Sequence, residues 1–274
     1  MSTALAADGP TTADTATPDC IDLGVLPSTL SPGIASRAAI GVVVLATDQT
    51  VEHEFRGIIR QPGVAFFEAR IPMANEVTPE NLMAMKAHLA PTADLILPSI
   101  PLSVVAFGCT SASMVIGEEG VFEELRKVRP EAKYTNPVTA ALAAFRTLGM
   151  RRIAVLTPYS PDINENLRKY FEGRGVGVAA MGTFLRTDDR EAARISRESI
   201  RDAAIAAGRT PGVDGVFVSC TSLEVAPVVA EVEAVTGKPL LSSNLAMAWH
   251  CLRLAGVDDP QPEFGMLYGR GLAG

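Results

Sequence analysis

The tripeptide Cys-Thr-Ser occurs twice in the 274-residue chain, as Cys109-Thr110-Ser111 in AFGCTSAS and as Cys220-Thr221-Ser222 in FVSCTSLE. Each copy ends an apolar run and precedes a stretch that reads as a helix. A thiol at such a junction has free backbone N–H groups, the positive end of a helix dipole and neighbouring hydroxyls around it. All three favour thiolate, and a helix N-terminus is expected to bring a cysteine from its ordinary ~8.5 to near ~7. Two such thiols on opposite faces of one carbon can invert a stereocentre. One, as thiolate, removes a proton from Cα, and the other returns a proton to the opposite face. The N–H and hydroxyl groups of Thr110, Ser111, Thr221 and Ser222 would stabilise the developing enediolate. A covalent route is also open to the pair: one thiolate adds to an activated double bond, the bond rotates, and the adduct collapses. Cys20, in a polar stretch, and Cys251, inside AMAWHCLRLAG, carry no such surroundings and read as ordinary thiols.

Strands and helices must bring these two stretches together. AIGVVVLATD (39–48), VAFFEARI (64–71), ADLILPSI (93–100) and SVVAFGC (103–109) read as strands, with a helix over TPENLMAMKAHLA (78–90). A second series follows: RRIAVLTPY (151–159), a helix over 164–176, GVAAMGTFL (177–185), a long helix over about 189–207, and GVFVSC (215–220). After about Pro239 come one more strand and a helix. Apolar strands alternating with helices predict an α/β fold with mostly parallel sheets covered on both faces. The cysteines are 111 residues apart, and the same offset lays VVVLATD (42–48) on IAVLTPY (153–159), with Asp48 on Tyr159. A duplicated α/β unit follows from that agreement. The expected organisation is a flexible arm over 1–30, a first α/β domain over 31–135 with about 245–274, and a second over 136–244. Ligands of open parallel sheets bind beyond the carboxyl ends of the strands, so a pseudo-twofold would set Cys109 and Cys220 across one inter-domain cleft.

Composition narrows the partners. A formal charge of −7, with 20% charged and 47% hydrophobic residues, offers no basic patch for nucleic acid or anionic lipid. No apolar run approaches the roughly 20 residues a bilayer needs, and the N-terminus lacks a secretory pattern, so a cytoplasmic protein is expected. The four cysteines and three histidines show no zinc-ligand spacing, and no metal is expected. Asn136, before Pro137 and a helix, is a candidate carboxylate ligand or a turn residue. Thr47, Thr139 and Ser243 sit at similar junctions with weaker claims. GMLYGRGLAG reads as a flexible tail and EEGVFEELRKVRPE as a solvated helix face.

GCTSAS and SCTSLE, together with VVVLATDQTVEHE, TNPVTAALAAFRTLGMRRIAVLTPY and GKPLLSSNLAMAWHCLRLAG, resemble the aspartate/glutamate racemase superfamily over about residues 38–257. Within it they look like the branch of maleate cis–trans isomerases, arylmalonate decarboxylases and racemase-like proteins of ectoine utilisation. The resemblance implies two similar domains with the site between them, no cofactor, and a homodimer or higher homo-oligomer. It places the catalytic pair on Cys109 and Cys220 and a substrate-binding tyrosine on Tyr159. Two retained cysteines argue against the decarboxylases, which keep one. Maleate isomerases usually have asparagine where this chain has Asp48. A carboxylate facing a substrate carboxylate at ~4 Å costs about 4 kcal/mol at an effective dielectric near 20. A substrate ammonium would turn that cost into attraction, although Asp48 also suits a helix N-cap. The leading expectation is therefore a racemase acting on an amino acid or N-acetylated diamino acid of ectoine catabolism. The alternatives are a maleate-type isomerase and a non-catalytic small-molecule binding protein.

Overall fold

A computed structural model describes residues 20–74 and 78–273. The arm expected over 1–30 falls mostly outside the described residues, and Cys20–Ser31 contain neither helix nor strand. From residue 32 onward the chain runs as a β/α alternation. β1 (Ala38–Leu45) leads through α1 (Val51–Ile58) to β2 (Val64–Ile71), then through α2 (Pro79–Ala84) and α3 (Lys86–Asp94) to β3 (Val104–Gly108). α4 (Thr110–Ile116) and α5 (Glu118–Val128) precede β4 (Lys133–Thr135), and α6 (Pro137–Leu148) crosses to the second half. There β5 (Arg152–Thr157), α7 (Pro161–Glu172) and β6 (Gly177–Thr183) are followed by α8 (Asp189–Ala192) and α9 (Arg197–Gly208). β7 (Gly215–Val218), α10 (Val229–Thr236), β8 (Leu240–Ser242) and α11 (Ser243–Leu254) complete it.

The strands form two four-stranded parallel sheets, ordered β2-β1-β3-β4 and β6-β5-β7-β8. The orders are the same under the exchange β1/β5, β2/β6, β3/β7, β4/β8, as a duplicated unit requires. β3 and β7 are therefore equivalent, and each is followed by a cysteine. All eight residues of β1 and all five of β3 are buried. Alternation along β1 divides two cores: Val42 and Val44 face one, Val43 and Leu45 the other. The edge strands β2 and β6 are only partly covered.

α6 starts on the Asn136 cap with Pro137 in its first turn and ends on Gly149, whose φ of +69° suits the left-handed cap. Its Phe145 packs edge-on against Phe171 and Phe217, each at 5.5 Å between ring centres. α11 is buried from Ser243 to Arg253 and touches α6, β3, β4 and β8. Its first residues thus lie where loops of both sheets can reach them.

Four elements differ from expectation. The helix over 78–90 is two, α2 and α3, parted at Met85. GMLYGRGLAG is not a free tail: Met266–Gly269 form a 3-10 turn with Leu267 and Tyr268 buried, and the Tyr268 hydroxyl donates to the Leu245 carbonyl at 2.9 Å. Residues 93–100 are not a strand: α3 runs to Asp94, and a turn follows in which Leu97 and Ser99 have φ of 47° and 66°. The buried guanidinium of Arg129 donates to the carbonyls of Ala93, Asp94, Ile96 and Ile100, so this apolar run is the capped end of a helix. The long helix over 189–207 is broken into α8 and α9, the latter capped by Ser196 accepting from Ser199 N. Among the described residues no helix is long and apolar enough to cross a membrane.

Candidate active site

The Cys109 and Cys220 side chains wall one cavity of about 400 Å³. Cys109 follows β3 and caps α4: its Sγ accepts from Ala112 N at 3.4 Å and lies 3.7 Å from Ser111 Oγ. Cys220 lies two residues beyond β7, and its Sγ accepts from Ser222 N at 3.4 Å. Its φ of +153° is a setting that L side chains rarely adopt, and such strain, of order 1–3 kcal/mol, persists only where surrounding contacts impose it. One of those contacts is Ser243 at the start of α11. Its Oγ accepts from Cys220 N at 3.1 Å and lies 3.0 Å from Thr110 Oγ1, so one hydroxyl ties the two cysteine loops together.

The helix-end account of thiol acidity needs correction. Residues 221–223 form a turn and α10 begins only at Val229, so Cys220 does not itself open a helix; the helix start nearest it, that of α11, meets its backbone N–H through Ser243. α4 offers Cys109 a single N–H contact. Burial pushes the Cys109 thiol up to about 11, against the opposing pull of Ala112 N–H and Ser111. Burial, reinforced by Asp189, pushes Cys220 up to about 12. Values raised this far favour the protonated thiol at neutral pH for both. The local dipole is outweighed by desolvation and by nearby carboxylates.

Thr110, Ser111, Tyr159 and Thr221 also line the cavity. Tyr159 is held at the end of β5, its N–H donating to Thr157 Oγ1 at 3.1 Å and its carbonyl accepting from Thr183 Oγ1 at 2.6 Å. Burial raises its phenol well above the ordinary value, and the Cys220 thiol lies beside it. It therefore stays a hydrogen-bond donor.

Asp48, Asn136 and Ser222 are not among the lining residues. Asp48 Oδ1 accepts from Thr50 N and Val51 N, at 2.7 and 2.8 Å, and so caps α1. Its Oδ2 accepts no hydrogen bond, and burial raises its carboxyl above the usual range. Asn136 Oδ1 accepts from Val138 N and Thr139 N, which caps α6, while its Nδ2 is unpartnered. Ser222 lies behind the wall with its Oγ 3.4 Å from Asp189 Oδ1.

The sequence reading missed a whole stretch of the wall, Arg186, Thr187, Asp188 and Asp189, which runs from beyond the end of β6 into the first residue of α8, and also Ser160 beside Tyr159. The rule that placed the cysteines, function beyond the carboxyl end of a parallel strand, also covers this charged RTDD run. Leu45, Met73, Leu82 and Ile163 supply apolar wall.

Residues 76–268, more than half of the chain, match the family model described as arylmalonate decarboxylase. The chain belongs to the arylmalonate decarboxylase family. Among its relatives is the maleate isomerase of Nocardia farcinica, 29% identical over 238 residues that cover 83% of this chain and 94% of that protein. The arylmalonate decarboxylase of Bordetella bronchiseptica is 32% identical over 136 residues, 49% of this chain and 57% of that one. In three dimensions, a cysteine-to-serine mutant of Nocardia farcinica maleate cis–trans isomerase superposes with a TM-score of 0.67 at 25% identity. The match covers 80% of this chain and 93% of that one, and the mutant was solved with a covalently bound succinylcysteine intermediate. Both named activities within the arylmalonate decarboxylase family are thus enzymatic, and covalent cysteine chemistry occurs in a relative of the same fold. The expected link to ectoine catabolism has no counterpart among these relatives.

Proposed function

We propose that the chain is a cofactor-independent cis–trans isomerase of small unsaturated carboxylates, acting through a covalent cysteine adduct. The observation that carries this reading is the meeting of Cys109 and Cys220, from equivalent strands of two sheets, in one cavity of about 400 Å³. That volume suits a small acid. The likeness to maleate isomerases supports adduct formation over paired proton transfer at a stereocentre.

Cys109 is assigned as the nucleophile because its sulfur caps α4 and has the Ser111 hydroxyl 3.7 Å away, whereas Cys220 is followed by a turn and has Asp189 as the largest influence after burial on its thiol. In the addition, the Cys109 sulfur bonds to one alkene carbon and the π electrons move to the other, which takes the proton of Cys220. The proton released by Cys109 passes to the Cys220 sulfur, so one thiol has been added across the double bond. The carbon–carbon bond, now single, rotates. Elimination runs the same transfers backward: the Cys220 thiol gives its proton to the departing Cys109 sulfur as the S–C bond breaks, and the Cys220 sulfur takes the proton from carbon, which releases the trans alkene and restores both thiols. Charge accumulating on the substrate carboxylate during addition meets Thr110 and Thr221, the protonated Tyr159 phenol and the Arg186 guanidinium in the wall.

Intact-mass spectrometry tests the scheme. A Cys220→Ala variant incubated with maleate is expected to gain the mass of one substrate, mapped by peptide digestion to Cys109, while Cys109→Ala gains none and turns over none. An adduct on Cys220 alone would reverse the roles. Wild-type turnover of maleate with no adduct in either variant would overturn the covalent scheme, and obligatory deuterium uptake at Cα of a single-enantiomer amino acid incubated in D₂O would return the assignment to two-base racemisation.

A further inference from the structure

The charges in the cavity wall are unequal to a symmetric dicarboxylate. Arg186 is the one Lys or Arg side chain among the lining residues. Asp188 has its own cation, with Arg190 Nη2 2.5 Å from its Oδ2 and Arg190 Nε 3.0 Å from its Oδ1. Asp189 has none among the described residues. Its Oδ2 accepts from Thr47 Oγ1 at 2.7 Å and its Oδ1 from Ser222 Oγ at 3.4 Å. Each carboxylate oxygen has two acceptor sites, so these hydroxyls leave Asp189 with capacity toward the cavity it lines. Behind it, Asp48 is 1% exposed and its Oδ2 is without a hydrogen-bond partner. The Asp189 carboxylate raises both cysteine thiols, more than Asp48 does.

A dianion needs two compensating charges or their equivalent, and this wall supplies one guanidinium together with an uncompensated carboxylate. Replacing one of the two substrate carboxylates by a group with N–H donors removes the repulsion and gives Asp189 a charge-assisted hydrogen bond. We propose that Asp189 sets the substrate class: a small cis-alkenoate with one carboxylate and, in place of the second, a nitrogen group that donates N–H, as in the monoamide of a cis-enedioic acid. The double bond in this assignment rests on the isomerase reading above; the polarity of recognition does not.

Binding and turnover separate the two. Calorimetry with succinate and with succinamate, saturated analogues that cannot react, measures recognition alone. The wild-type protein is expected to bind succinamate at least about tenfold more tightly than succinate, and Asp189→Asn to lower that ratio at least about tenfold, chiefly by gaining succinate affinity. Thr47→Val removes a hydroxyl tie to Asp189 and keeps its charge, so it should leave the ratio within about twofold. A ratio unmoved by Asp189→Asn, a ratio moved as much by Thr47→Val, a wild-type preference for succinate, or binding of neither analogue would each overturn the assignment. Turnover is then followed with maleate and maleamate. If the binding preference holds and neither alkene is isomerised, the isomerase reading fails and the role of Asp189 stands.

Discussion

Replacing Glu54 by glutamine should make the protein more stable at about pH 8 than at about pH 4, relative to wild type, by about 3 kcal/mol. Glu54 projects from α1 into a fully buried position. Its Oε1 accepts from Val225 N at 2.8 Å and Ala226 N at 2.7 Å, and its Oε2 from Asn244 Nδ2 at 2.7 Å. That amide also donates to the Thr221 carbonyl at 2.8 Å, one residue from Cys220. Burial pushes the Glu54 carboxyl from 4.5 up to about 7, although these donors pull it down. A folded-state value above the unfolded one means that folding binds the proton. The stabilisation is complete below about pH 4.5, drains as pH rises, and is gone above about pH 7. A shift of roughly 2.5 units at 1.36 kcal/mol each gives the figure of about 3 kcal/mol. Glutamine cannot ionise, and every other group titrates alike in both proteins, so the difference between their denaturation midpoints isolates Glu54. Turning the Asn244 amide to meet the new side chain shifts the variant by an amount independent of pH, which leaves the slope intact. A difference flat to within about 1 kcal/mol across this range, or wild type gaining on the variant as pH rises, would refute the claim that this carboxyl is desolvated.

Turnover and architecture supply further expectations. Because burial holds both thiols well above neutrality, kcat/KM should still be rising with pH at about pH 9, close to tenfold per unit while a single deprotonation limits it; a plateau below about pH 8 would mean that the free protein already carries a thiolate. Ser243→Ala removes the hydroxyl shared by Cys220 N and Thr110, leaves two buried polar groups short of a partner, and should cost about 1–3 kcal/mol in thermal or chemical unfolding together with a loss of kcat larger than any rise in KM.

Much of this architecture was legible because it depends on local pattern. The apolar runs of β1, β3, β5 and β7 are buried on both faces, and a buried parallel strand has no other composition available. The offset between Cys109 and Cys220 worked for the same reason: equivalent strands in two sheets of like order must end in equivalent places. ADLILPSI was misread because a short apolar run carries no period that separates strand from helix end. What decides it is Arg129, distant in sequence, whose guanidinium collects the carbonyls of the α3 terminus.

The candidate site divides along a similar line. Cysteine positions follow from strand ends, whereas thiol acidity depends on how much protein surrounds the sulfur, and no spacing encodes that. Asp48 and Asn136 show the opposite limit. Each has a side chain able to meet a ligand, yet the nearest unsatisfied donors are the first N–H groups of the helices they precede, and those claim the oxygens. Electrostatic reasoning first attached to Asp48 applies with more force to Asp189, which lines the cavity and has no ion-pair partner among the described residues. Asp189 escaped notice because α8 is a single short turn, and its closeness to Thr47 and Ser222 exists only once the loops after β1, β6 and β7 converge. Convergence of loops at one end of two sheets is what the fold contributes. The chemistry depends on which of those loops carries an uncompensated charge.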